Sequence, residues 1–309
     1  MTHITPVNAY GTAKWIVSAT PSQGTHTTIT AAVTAASAGD TIFIRDGTYI
    51  ENVTLKPSVN ICCFSSNGTG NASGNVIING TLTLSVAGSV SISGIELQTN
   101  SAPILVVSGS GVSQVNLTQC FFNCTNNTAI SFTNSNASSE ISIGYCSGNL
   151  ATTGIAFYSS SSPGDISIYY TDVFNTGNST TASNNSSGVV FYTFSGVNYS
   201  ITTSSTGILN NSHSNFETPD INTACITSAG TGSVNSFHCQ YGSGTAPCFS
   251  IGVGTSFGSA QDILSSTNTN AIAGGGTLVA GIITFVSSSS TIEGTLTVNK
   301  FTTYGGTIV

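Results

Sequence analysis

Hydrophobic positions along this chain recur at two different periods. Ile29, Ala32, Val33 and Ala36 stand at i, i+3, i+4 and i+7, the spacing of one apolar helix face. This predicts a short helix near residues 27–37. Gly39 lies just beyond it and can take the positive φ that ends a helix. Alternation follows at once, in the pairs Ile42 and Ile44, Val53 and Leu55, and Val59 and Ile61. A turn separates each pair, so the helix feeds a succession of short strands.

From Val90 the alternation becomes an internal repeat. SVSISGIELQTN (89–100), SQVNLTQCFFNC (113–124), SEISIGYCSGN (139–149) and GDISIYYTDVFN (164–175) align, with Val90, Val115, Ile141 and Ile166 at intervals of 25, 26 and 25 residues. A second apolar set lies between them: Ile104, Ile130, Ile155, Val189, Cys225, Cys248 and Ile272. Its intervals of 26, 25, 34, 36, 23 and 24 predict two overlong coils with protruding loops near 179–187 and 210–220. A period near 25 with two strands per period is that of a solenoid coil. The expected fold is all-β: a parallel β-solenoid with a short N-terminal helix. Residues 1–40 form the lead-in and cap, residues 41–289 the β-helix, and residues 290–309 a strand segment expected in assembly contacts.

The string AAVTAASAGDTIFIRDGTYIENVTLKPSVNI, within residues 24–64, resembles the opening of the pectin-lyase-like right-handed parallel β-helix superfamily. That resemblance implies the same fold, with the helix as its cap. It assigns Arg45, Asp46 and Glu51 to positions associated with the fold. For activity it implies a choice. Lyases of the superfamily use a basic residue as the proton-abstracting base and acids that hold calcium. The related hydrolases use two or three clustered aspartates, and the methylesterases two aspartates with an arginine.

Composition narrows the partners. Charged residues are 5% of the chain, against about 25% in ordinary domains. The cations are Lys14, Arg45, Lys56 and Lys300, and the net charge is −7. Such a surface has no electrostatic attraction for nucleic acid or for an anionic membrane. Ser, Thr, Asn and Gly must coat it, which suits an extracellular, cell-surface or virion location. No run approaches a membrane-spanning length, so no membrane insertion is expected. The opening residues lack the basic-then-apolar order of a secretory signal.

Groups able to carry chemistry are sparse. Eight cysteines are present, and Cys120, Cys146 and Cys239 share one repeat position while Cys225 and Cys248 share another. Their spacing matches no zinc pattern, and they read as inward thiols acting as small hydrophobes. Asp165 and Asp172 are the close acid pair of the repeat, but a whole strand separates them, and they read as solvated turn residues. His3, His26, His213 and His238 are far apart in sequence and read as incidental surface positions. No lyase, hydrolase or esterase cluster emerges, and no metal or cofactor is expected. Aromatics offer a binding surface instead. With Ile155, Phe157, Ile166, Ile168, Val189 and Phe191 pointing in, Tyr158, Tyr169, Tyr192 and Phe194 point out and could stack on sugar rings.

These features lead to the expectation of a non-enzymatic structural or adhesive protein. It would form or decorate a fibre or spike, assemble as a trimer or end-to-end fibre, and bind surface polysaccharide. The alternative is a polysaccharide-active lyase or hydrolase of the superfamily.

Overall fold

The computed structural model describes residues 7–304 except 9–10, 13–14, 65–75, 100–101, 125–127, 151–156, 176–180, 185–187, 194, 199, 204–205, 218–223, 229–230, 244–245, 254, 267–269, 275–276, 287–290 and 293–294. The helix runs Ile29–Ala35 and buries Ile29, Ala32 and Val33. It ends earlier than Gly39, because Ala36 is already extended at φ −67° and ψ 152°. Gly39 instead takes φ 92° in the turn that follows.

Both ends of the helix are held by the strand segment predicted from the opening motif. Glu51 accepts the Ile29 N–H at 2.7 Å and the Thr30 N–H at 2.9 Å. Lys56 Nζ donates to the Ala36 carbonyl. A carboxylate at the N-terminus and an ammonium at the C-terminus complement the helix dipole. Asp40 joins the same cap, accepting Trp15 Nε1 at 2.7 Å and the Ser37 N–H at 2.7 Å. Arg45 lies over the Phe64 ring, 4.5 Å from its centroid. The motif residues thus build the cap.

Each later coil has three strands, not the two read from the repeat. Ser113–Thr118, Phe121–Cys124 and Ile130–Phe132 make one coil; Glu140–Gly144, Ser147–Leu150 and Tyr158–Ser160 make the next. Strands at equivalent positions pair in parallel, giving three faces of a solenoid. The first two faces form one 23-stranded sheet and the third an 11-stranded sheet. The first and second faces had merged in the sequence because only two residues, such as Gln119 and Cys120, separate them.

The Val90 register continues as predicted through Val115, Ile141 and Ile166. It then passes to Val190, Leu209, Val234 and Phe257, all buried. Val189 therefore belongs to the first face and not to the set of Ile104. Strands therefore stand where parts of the two expected loops were placed, while residues 179–180, 185–187 and 218–220 lie outside the described residues. Thr181–Asn184 and Ser200–Thr203 are third-face strands; Val189–Thr193, Gly196–Asn198 and Ser200–Thr203 make one short coil, and Ile208–Ser212 and Asn215–Glu217 open the next. The segment expected in assembly contacts carries the last rungs: Thr291–Ile292 pairs with Asn270–Ala273, and Thr295–Tyr304 with Thr277–Val286.

Inward residues of all three faces share one core. Its early coils are filled by Ile, Val and Leu, each contributing roughly 1.5–3 kcal/mol when fully buried. Later coils are filled by rings: Phe216 stacks on Tyr241 at 4.9 Å, Tyr241 meets Phe249 at 4.6 Å, and Phe249 meets Phe257 at 4.4 Å. Parallel strands stacked on such a core need no surface charge to stay together, which is how a chain with four basic residues can fold.

Candidate functional site

The corner between the first and second faces is made by two residues. The first takes left-handed backbone: Gly94 at φ 70°, Gln119 at 54°, Tyr145 at 53°, Tyr170 at 47°, His213 at 50°, His238 at 57° and Gln261 at 61°. Glycine does this freely, whereas a bulky residue gives up roughly 1–2 kcal/mol. The geometry throws these side chains outward, leaving Tyr145 58% and Tyr170 49% exposed. The result is a row of rings and amides parallel to the solenoid axis, one at each described corner, with coils about 4.8 Å apart and the corner at Phe194 outside the described residues.

The second corner residue turns inward and forms a ladder with the next coil. The Cys120 N–H donates to Cys146 Sγ at 3.4 Å, and Cys146 N–H to Thr171 Oγ1 at 3.3 Å. Thr171 N–H then donates to Ser195 Oγ at 3.3 Å, and Ser195 N–H to Ser214 Oγ at 3.2 Å. The Cys239 N–H donates to Asp262 Oδ1 at 2.8 Å. Each ladder side chain satisfies a corner N–H that would otherwise be buried without a partner. Cys120, Cys146 and Cys239 are buried as expected, and none of the eight cysteines is in a disulfide. They act as hydrogen-bonding groups as well as small hydrophobes. The Cys146 contact and burial hold the Cys120 thiol well above its usual range.

Two clusters stand out along the outer row. In the first, Tyr145 and Tyr170 stack with centroids 5.1 Å apart and planes 7° from parallel. Tyr169 meets the Tyr145 ring edge-on at 5.8 Å. Gly144 makes room for this: a Cβ there would sit 2.2 Å from the Tyr169 ring. In the second, the His213 and His238 rings lie 5.3 Å apart, with Phe237 5.3 Å from His213. Ser212 Oγ and His213 Nδ1 are 2.7 Å apart. His213, Asn215, His238, Gln240, Gln261 and Ile263 line an open groove of about 230 Å³.

The four aromatics expected on the surface fare differently. Tyr158 and Tyr192 are fully buried, so they do not form an outward ladder. For Tyr192 the cause is a one-residue shift: Val190 and Tyr192 point in and Phe191 points out, and a single step in a strand reverses every side chain. Tyr158 pairs with Ile130 on the third face, where Phe157 just before it also turns inward. Tyr169 is half-buried against Gly144, and Phe194 lies outside the described residues. Sequence reading missed Tyr145 and Tyr170. Their signal was present, since each directly precedes a ladder position already marked by Cys146 and its equivalent Thr171.

His213 and His238 are surface positions, as read from the sequence. His213 and His238 are 25 residues apart, one coil, and that interval brings their rings together. Asp165 and Asp172, by contrast, stand on different faces of their coil. Asp165 Oδ1 accepts the Val189 N–H at 3.1 Å and Asp172 Oδ1 the Gly196 N–H at 2.9 Å. Each ties its coil to the next, and they do not converge. Among the described residues no three His, Cys, Asp or Glu side chains come together as a metal site.

Among solved structures the chain is similar to a pectin methylesterase from carrot (13% identity, 96% of this chain and 88% of that one, TM-score 0.41). It is similar also to one from Erwinia chrysanthemi (12% identity, 85% and 81%, TM-score 0.38) and to a pectin methylesterase bound to a hexasaccharide (12% identity, 85% and 81%, TM-score 0.37). The fold is an all-β parallel solenoid of about 25 residues per turn. Likeness at this level is one of architecture and transfers neither a residue nor a reaction. No family model and no curated protein sequence matches the chain. The expectation of a non-enzymatic structural or adhesive fibre is corrected here: the similar solved structures are pectin methylesterases.

Proposed function

We propose that this protein is polysaccharide-active, binding a sugar chain along its outer corner and acting on it at the His213–His238 groove. The paired imidazoles on adjacent coils carry the reading. Imidazole is the side chain best suited to give and take a proton near neutral pH. Two of them in one open groove could serve a reacting glycosidic or ester bond from neighbouring positions. Asn215, Gln240 and Gln261 add amide donors and acceptors for sugar hydroxyls. Phe237, 44% exposed, supplies an apolar ring beside them. The weakly charged Ser, Thr and Asn surface supports an extracellular setting for this work.

The test is incubation with a panel of soluble plant and microbial polysaccharides. Chain length is followed by size exclusion, new reducing ends by a colorimetric assay, unsaturated ends by ultraviolet absorbance and released acid by titration. At least one polymer is expected to be modified, with the activity lost in His213→Ala/His238→Ala while circular dichroism is unchanged. Modification that survives in the double variant, or none across the panel, overturns the reading.

A further inference from the structure

We propose that the ligand is an uncharged polysaccharide, laid parallel to the solenoid axis, with Tyr145 and Tyr170 as the platform on which its sugar rings stack. The proposal takes its ligand class from the polysaccharide-active reading and narrows it.

The platform shows signs of construction. Its two rings stack on each other, and Tyr169 braces them edge-on. Gly144 leaves the space that the Tyr169 ring fills. Tyrosine is a costly occupant of left-handed backbone, and Gly94 shows that the same corner can be turned with glycine. Two successive coils nevertheless place tyrosine there, with about half of each side chain open to solvent. A tyrosine offers an apolar face to the C–H side of a sugar and a hydroxyl to its polar edge.

The row continues in line with the platform. From Tyr145 to Gln261 it spans five coil steps, roughly 24 Å at the usual strand spacing. It passes His213 and His238 on the way, so a chain seated on the tyrosines runs into the groove. Gln119 extends it at the other end.

Charge selects the polymer. No lysine or arginine occurs between Lys56 and Lys300, the stretch that contains the whole row. Glu140, Asp165 and Asp172 lie outward on the same coils as the tyrosines. A polyuronate would meet carboxylates with no basic side chain to offset them. A neutral chain meets rings and amides and has nothing to be repelled by.

The experiment is affinity electrophoresis with neutral polymers (glucans, galactans, mannans and xylans), polygalacturonate and poly-lysine. Tyr145→Asn and Tyr170→Asn are the variants of choice, because asparagine tolerates left-handed backbone and keeps the corner. At least one neutral polymer should retard the protein, each variant should weaken that binding at least tenfold, and added salt should leave it unchanged. Preference for polygalacturonate, strong salt dependence, capture of poly-lysine alone through the tyrosines, or variants that bind as wild type would each overturn the proposal. Failures are separable. Neutral-polymer binding through the tyrosines with no modification sinks the enzymatic reading alone. Modification of polygalacturonate that ignores both tyrosine variants sinks this inference alone.

Discussion

The Glu51 carboxylate and the Ile29 N–H meet at 2.7 Å, joining a strand-side loop to the first turn of a helix 22 residues earlier. The other carboxylate oxygen takes the Thr30 N–H and hydroxyl. The first turn of a helix has N–H groups without internal partners, and one side chain here serves two of them. Glu51→Ala should cost about 1–3 kcal/mol in urea unfolding. Glu51→Gln, which retains one acceptor oxygen, should cost less. Equal losses from both variants would show that the charge and not the hydrogen bonds anchors the cap.

The corner ladder makes a sharper case, because one atom decides it. Thr171 Oγ1 accepts the Cys146 N–H at 3.3 Å in the buried interior and donates to the part-buried Tyr169 carbonyl at 3.0 Å. Thr171→Val keeps shape and removes the oxygen. It should cost about 1–3 kcal/mol, since a buried donor is left unpaired. Thr171→Ser keeps the oxygen and should lie closer to wild type. A valine variant as stable as wild type would mean that water or backbone movement can satisfy the corner.

How much of this was legible follows from what a period can carry. Val90, Val115 and Ile141 gave the coil length because an inward position repeated with the same residue type. The cap was legible because Ile29, Ala32, Val33 and Ala36 stand at the spacing of one helix face. Tyr192 was misread because an interval is silent about which face a strand belongs to, and Val189 was one residue from the true inward position. The site was the least legible part. His213 and His238 look unrelated until coil length is applied to them. Tyr145 and Tyr170 depend on a backbone conformation that bulky residues seldom adopt.

Burial of the thiols predicts their reactivity. Cys120, Cys124, Cys146, Cys225, Cys239 and Cys248 are buried, while Cys62 and Cys63 are half-buried. Burial pushes Cys62 up to about 12, so even this more open thiol is a weak nucleophile at neutral pH. Alkylation of the native protein near neutrality should be slow everywhere, with Cys62 and Cys63 modified first, and all eight should react in urea. Rapid native labelling of Cys120 or Cys146, read by peptide mass spectrometry, would show that the corner opens readily.

Asp262 sets a pH dependence whose sign can be worked out. Its side chain is fully buried, accepting the Cys239 N–H on Oδ1 and the Ser259 hydroxyl on Oδ2. Burial is the strongest influence and raises its pKa above the ordinary 3.8, outweighing the opposing hydrogen bonds from Ser259, Cys239 and Ser236 and the pull of His238. Tyr241 and Cys239 are the other titratable groups beside it, and both are raised, so they remain neutral in the acid range. The folded state therefore holds the Asp262 proton more tightly than the unfolded chain does. Its stabilising effect is complete below about 3.8, and is lost as pH rises through the higher folded value. Asp262→Asn keeps an oxygen for the Cys239 N–H and carries no charge at any pH. The melting temperature of the variant minus that of wild type should therefore rise from acid to neutral pH and then level off. A difference that falls over the same range would mean that the hydrogen bonds outweigh burial and that the folded protein prefers the ionised carboxylate.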